Sequence, residues 1–164
     1  MTLDHVVVVR IHPSQPIFLL GLAVSKQKLE QLKEHFREEP FANLFHFSLL
    51  ELKEGYARVK LEVDERYYNI FGVTHGGCIF ALIDEAFELA CNSHLEDAVA
   101  MSVQVNYIRP VKETSLIAEA KEVALTRKTG IYDIQVFSVR ENSEETVAIA
   151  RALCYRKLPK KEGE

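Results

Sequence analysis

The sequence predicts an α+β fold in which an antiparallel sheet packs against one long apolar helix. Two observations carry that expectation. Residues 78–91 (CIFALIDEAFELAC) are apolar nearly all round, with only Asp84, Glu85 and Glu88 charged, as in a helix buried on most sides. Strand-like segments flank it, two before and four after, joined by short polar turns, and such turns imply antiparallel neighbours. A curved sheet laid on that helix is the simplest way to bury both.

The elements follow in order. Residues 1–24 form an N-terminal extension whose role the pattern does not reveal: VVVV at 6–9 has strand character, and Pro13 and Pro16 then interrupt the chain. A single main domain spans 25–157, and residues 158–164 are a polar tail. A helix is expected to start near Ser25, a good N-cap, with Leu29, Leu32 and Phe36 at helical spacing and Pro40 beyond its end. Residues 45–53 and 56–63 read as a hairpin around Glu54-Gly55, with Ala57, Val59, Leu61 and Val63 alternating with Tyr56, Arg58, Lys60 and Glu62. A polar loop from Asp64 to Thr74 leads to His75-Gly76-Gly77 and the apolar helix, where Glu85 and Glu88 are expected to face solvent or a subunit interface. Residues 98–108 alternate, with Val99, Met101, Val103, Val105 and Tyr107 on one face and Ser102, Gln104 and Asn106 on the other. Further strands are expected at 115–124, 130–140 and 146–157.

Composition narrows the function classes. A net charge of -4 and 27% charged residues do not supply the basic surface that nucleic-acid binding needs. Cys78, Cys91 and Cys154 are odd in number and widely spaced; neither a disulfide framework nor a zinc site is expected, and reduced, buried thiols suit a cytoplasmic protein. The apolar run from Pro16 to Val24 is too short to span a bilayer, and Asp4 and two histidines stand where a secretory signal would place lysines. No membrane partner is expected. There is no GxGxxG motif and no parallel βαβ pattern, so a dinucleotide-binding fold is excluded.

The chemistry concentrates in Asn69–Asn92 (NIFGVTHGGCIFALIDEAFELACN). A glycine pair opens a helix, where free N–H groups and the positive end of the dipole can hold an oxyanion. Gly76-Gly77 alone is more often a turn than an anion hole, and a lone histidine such as His75 is usually a cap or a satisfied histidine. Asp84 is harder to explain structurally, because a carboxylate in an apolar helix is costly without a partner.

The combination N-x-x-G-x-x-H-G-G, F-x-L-x-D-x-A-F and A-C-N, continued by N-Y-I-R-P at 106–110 and T-G-I-Y-D at 129–133, resembles the PaaI-like (phenylacetic-acid-degradation) thioesterases of the hotdog superfamily over about residues 41–157. The resemblance implies a hotdog fold, an antiparallel sheet wrapped around one long central helix, in a homo-oligomer that is a dimer of dimers with active sites at subunit interfaces. It implies acyl-CoA thioester hydrolysis, with Asp84 as general base or nucleophile and Asn69 orienting substrate or water. It places the Gly76 N–H, with Gly77, on the thioester carbonyl, His75 beside the thioester or its loop, and Ser102 beside the attacking water. Arg109, Lys128, Thr129 and Gly130 match positions that contact coenzyme A. The coenzyme is part of the substrate; no separate cofactor and no metal is implied. The acyl group is an aryl-acetyl (phenylacetyl type) or a fatty acyl chain. Two other functions fit less well: a hotdog acyl-CoA hydratase or dehydratase, separable by assaying enoyl-CoA, and a non-catalytic acyl-CoA-binding protein, which would bind without hydrolysis.

Overall fold

The computed structural model describes residues 17–112, 114–140 and 143–157. Helix α1 (Ile17–Glu38) and the short α2 (Pro40–Phe45) precede the hairpin β1 (Ser48–Lys53) and β2 (Tyr56–Glu62). A 3-10 turn (Glu65–Tyr67) and a loop lead to the central helix α3 (Gly76–Cys91), followed by β3 (Asp97–Tyr107), β4 (Ser115–Leu125), β5 (Thr129–Arg140) and β6 (Ser143–Lys157). The strands form one antiparallel sheet in the order β1-β2-β4-β5-β6-β3. This is the expected α+β architecture, a sheet around one long helix.

Register explains how the helix seats. Ala57, Ala120, Ile134 and Ala150 stand in one row across the sheet, and Val59, Ala118, Val136 and Ala148 in the next. All eight are buried. Small side chains over much of the concave face let α3 lie close, so Leu82, Ile83, Ala86 and Phe87 are removed almost completely from water. Each large side chain so buried contributes roughly 1.5–3 kcal/mol. Phe87 meets Tyr132 edge-on at 5.4 Å between ring centroids. Cys78, Cys91 and Cys154 are free and buried, as expected.

Several expectations are corrected. The first helix begins at Ile17, and Ser25 lies inside it rather than capping it; its Oγ donates to Glu54 Oε2 at 3.3 Å. The run after Pro16 therefore continues the helix instead of preceding it. Residue Phe45 closes α2 and does not start the hairpin. Along β3 the alternation holds only for its second half. A bulge between Ala100 and Ser102 inserts one residue, and one extra residue reverses which parity faces the core. Ala98 and Ala100 face inward before it, paired with Arg156 and Cys154; Val103, Val105 and Tyr107 face inward after it, opposite Ala152, Ala150 and Ala148. Val99 and Met101 are consequently exposed. Finally, Glu85 does not face solvent: it is 2% exposed. The strand expected at 6–9 and the tail 158–164 lie outside the described residues.

Candidate active site

The loop before α3 is built by Asn69. Its Oδ1 accepts the Phe71 N–H at 2.8 Å and the Val73 N–H at 3.4 Å, and its own N–H donates to the Val73 carbonyl at 2.8 Å. Gly72 closes this turn at φ +71°, a conformation costly for a residue with a Cβ. The loop delivers the chain to His75, the N-cap of α3 in an extended conformation.

The first turn of α3 then has one amide to spare. The His75 carbonyl accepts the Cys78 and Ile79 N–H groups at 2.9 and 3.3 Å. His75 Nδ1 accepts the Gly77 N–H at 2.8 Å, so in neutral His75 the ring proton sits on Nε2. Among the described residues the Gly76 N–H has no acceptor. It stands at the positive end of the helix dipole, on a cavity of about 290 Å³ lined by Asn69, Thr74, Gly76, Ile79, Tyr107 and Arg109, among others. Arg109 Nη1 lies 3.1 Å from Glu145 Oε1.

Asp84 lies on the single exposed stripe of α3, which runs through Gly77, Phe80, Asp84 and Glu88. It borders a second cavity, of about 180 Å³, with Phe87, Glu88, Cys91, Ala98 and Val99. No hydrogen bond to its carboxyl is present among the described residues, and burial raises its pKa above the ordinary carboxylate range. Burial, then Glu39 and Asp84, raises that of Glu88 as well. Asp84 and Gly76 are eight residues apart on one helix; at 1.5 Å rise per residue that is about 12 Å.

The other expected site residues are spread out. Ser102 is exposed on the edge strand β3, just past the bulge, and borders neither cavity. Lys128 and Thr129 form the β4–β5 turn, their N–H groups donating to Thr126 Oγ1 at 3.2 and 2.9 Å. Gly130 is required by packing, since a Cβ there would come within 2.9 Å of the Tyr132 ring and 3.0 Å of Cys154 Sγ. Two features escaped the sequence reading. Tyr107, counted as an apolar strand residue, donates from its hydroxyl to the Gly76 carbonyl at 3.0 Å. Glu85 is buried near Glu39 at the α1–α2 junction, its Oε1 without a hydrogen-bond partner among the described residues, and burial, with Glu39 and Glu88, pushes its pKa up to about 8. The side-chain pattern carried no signal of either, because both depend on which elements meet in space.

The Thioesterase superfamily is the family whose sequence model matches, over residues 71–144. A relative from Archaeoglobus fulgidus is 37% identical over 141 residues, covering 85% of this chain and 90% of its own. The Acyl-coenzyme A thioesterase PaaI of Escherichia coli K12 is 30% identical over 122 residues, or 74% of this chain and 85% of that protein. The chain belongs to the PaaI-like thioesterases of the hotdog fold. This thioesterase also superposes on the E. coli PaaI structure, from the phenylacetic acid degradation operon, with a TM-score of 0.73 and 29% identity, covering 82% of this chain and 94% of that one. A variant of the PaaI protein of Thermus thermophilus gives 0.68 at 34% identity, with 73% and 100% covered. Among the described residues no helix is long and apolar enough to cross a membrane, and no cluster of three or more His, Cys, Asp or Glu could hold a metal ion.

Proposed function

We propose that this thioesterase hydrolyses the thioester of an acyl-CoA, in a site shared between two copies of the chain. The observation that carries the reading is the free Gly76 N–H at the start of α3, with the Asp84 carboxyl two turns along the same helix. One thioester carbonyl cannot meet both groups of a single chain across about 12 Å. A second copy, with its helix running the opposite way, brings its Asp84 to the first copy's Gly76. Among the described residues the eleven-residue strand β3 has no partner on its outer side, with Val99 and Met101 exposed, and such an edge favours pairing with another strand. A dimer built this way, further paired as a dimer of dimers, completes two sites per pair.

The chemistry is then direct. The Gly76 N–H of one copy binds the thioester oxygen and stabilises the negative charge that develops on it. Asp84 of the other copy takes a proton from water as the water attacks, or attacks the carbonyl carbon itself to form a mixed anhydride that water then hydrolyses, releasing the acid and restoring the carboxylate; the coenzyme A thiolate leaves and is protonated. His75, through Nε2–H, is placed beside the same oxygen. The Asn69 amide nitrogen, free of the loop bonds its oxygen makes, orients the substrate. Ser102, on the shared edge, faces the attacking water only across the interface. Arg109 and the Lys128–Thr129 turn serve the phosphates and pantetheine of coenzyme A.

The compact, partly aromatic wall of the Asp84 cavity favours an aryl-acetyl group of the phenylacetyl type over a long fatty chain. The name of the E. coli relative supports the coenzyme A ester, and its operon supports the phenylacetyl class. Thiol release from a panel of acyl-CoA esters tests the reading. Asp84→Asn is expected to lower kcat about 10²–10⁴-fold; near-normal turnover would remove Asp84 from the mechanism. Mixing Asp84→Asn chains with Gly76→Pro chains, which lack the N–H, should regain about a quarter of wild-type activity through hybrid pairs with one intact site.

A further inference from the structure

We infer that Tyr107 is a positioning residue of the oxyanion-binding element, acting through the peptide between Gly76 and Gly77 on the ring of His75. The inference rests on the site proposed above. The Tyr107 hydroxyl donates to the Gly76 carbonyl at 3.0 Å. The same peptide group's N–H, that of Gly77, donates to His75 Nδ1 at 2.8 Å. Donors and acceptors thus run in one direction, from the phenol through the peptide to the imidazole, and end with the proton on Nε2. A hydrogen bond at one end of a peptide group polarises the donor at its other end. Tyr107 therefore strengthens the contact that holds His75 in the Nε2–H form and in one orientation. Burial raises the phenol's pKa, which keeps it a donor.

The ring contributes a second constraint. A Cβ on residue 76 would come 3.3 Å from Tyr107 Cζ and 3.5 Å from its Oη, so the ring fills the space over Gly76. Tyr107 reaches this place because the β3 bulge sets residues 103, 105 and 107 toward the helix side. It borders the cavity that holds Gly76, Asn69 and Arg109. Tyr107 touches the Gly76 peptide, and its effect on the substrate passes through that peptide and His75.

Tyr107→Phe keeps the ring and removes only the donor. Losing one neutral hydrogen bond corresponds to about a five-fold fall in kcat. The KM is expected to stay within about two-fold, because the lost interaction acts on transition-state charge and not on the bound ester. The nitrogen-15 spectrum of the histidine rings, with His75 assigned by comparison with His75→Gln, should show Nε2–H in the parent and a larger Nδ1–H fraction in Tyr107→Phe. A melting temperature within about 4 °C of the parent, the shift one lost hydrogen bond accounts for, excludes a general loss of fold. Unchanged kcat with an unchanged His75 tautomer overturns the inference while leaving Asp84 and Gly76 in place. Undiminished turnover in Asp84→Asn overturns the site itself, whatever Tyr107→Phe does.

Discussion

Replacing Glu85 by Gln should make the protein more stable above neutral pH. Glu85 is 2% exposed on the central helix, and burial, reinforced by Glu39 and Glu88, moves its carboxyl from 4.5 to about 8. The folded state therefore keeps a proton that the unfolded chain has lost, across the window from pH 4.5 to about 8. Stability must fall as pH rises through that window, because the folded state binds more protons than the unfolded one. At about 1.4 kcal/mol per tenfold change in protonation, the full penalty is on the order of 5 kcal/mol above pH 8. Gln is neutral and matches the shape. Near pH 5 the two proteins should agree to within about 1 kcal/mol. At about pH 8.5 the Gln variant should melt about 10–20 °C higher, at roughly 2–4 °C per kcal/mol for a domain of this size. Differential scanning calorimetry from about pH 5 to 9 measures both curves. Parallel curves over that range would refute the reasoning, since burial of Glu85 would then carry no ionisation penalty.

Gly130→Ala should lower the melting temperature by several degrees, consistent with about 1–3 kcal/mol of overpacking against Tyr132 and Cys154; a KM change at unaltered stability would instead mark Gly130 as a coenzyme A contact. Glu145→Gln releases Arg109 from its ion pair, and KM for an acyl-CoA should fall at low salt and converge with the parent at high salt, as read from salt-dependent kinetics. Ser102→Ala should slow kcat without altering KM if the strand-edge hydroxyl holds water across the interface; equal kcat in both proteins would remove it from the site. The acid limb of the pH–kcat/KM profile should lie above the ordinary aspartate value, because burial raises Asp84, and this limb should vanish in Asp84→Asn.

Much of the fold was legible residue by residue. The hairpin alternation of Ala57, Val59 and Leu61 and the all-round apolarity of residues 78–91 each report a local periodicity that burial enforces, and both elements are where the pattern placed them. The motif Asn69 to Asp84 was legible because its spacing is set along the chain: a loop, a cap and two helical turns. The start of α1 was not, since an apolar run before a good N-cap residue reads the same whether it continues the helix or precedes it. The face of Val99 and Met101 was not, because a single inserted residue at the bulge is invisible to a period-two count.

By itself, then, the amino-acid order determined the central helix and the six strands, that α3 must be buried, and that a carboxylate and a glycine amide stand two turns apart upon it. These follow from backbone geometry and side-chain periodicity, which act over a few residues. Tertiary structure alone decided that Glu85 is buried near Glu39 and that Tyr107 reaches the Gly76 carbonyl. Both join elements far apart in the chain. No local pattern encodes a distance across the fold.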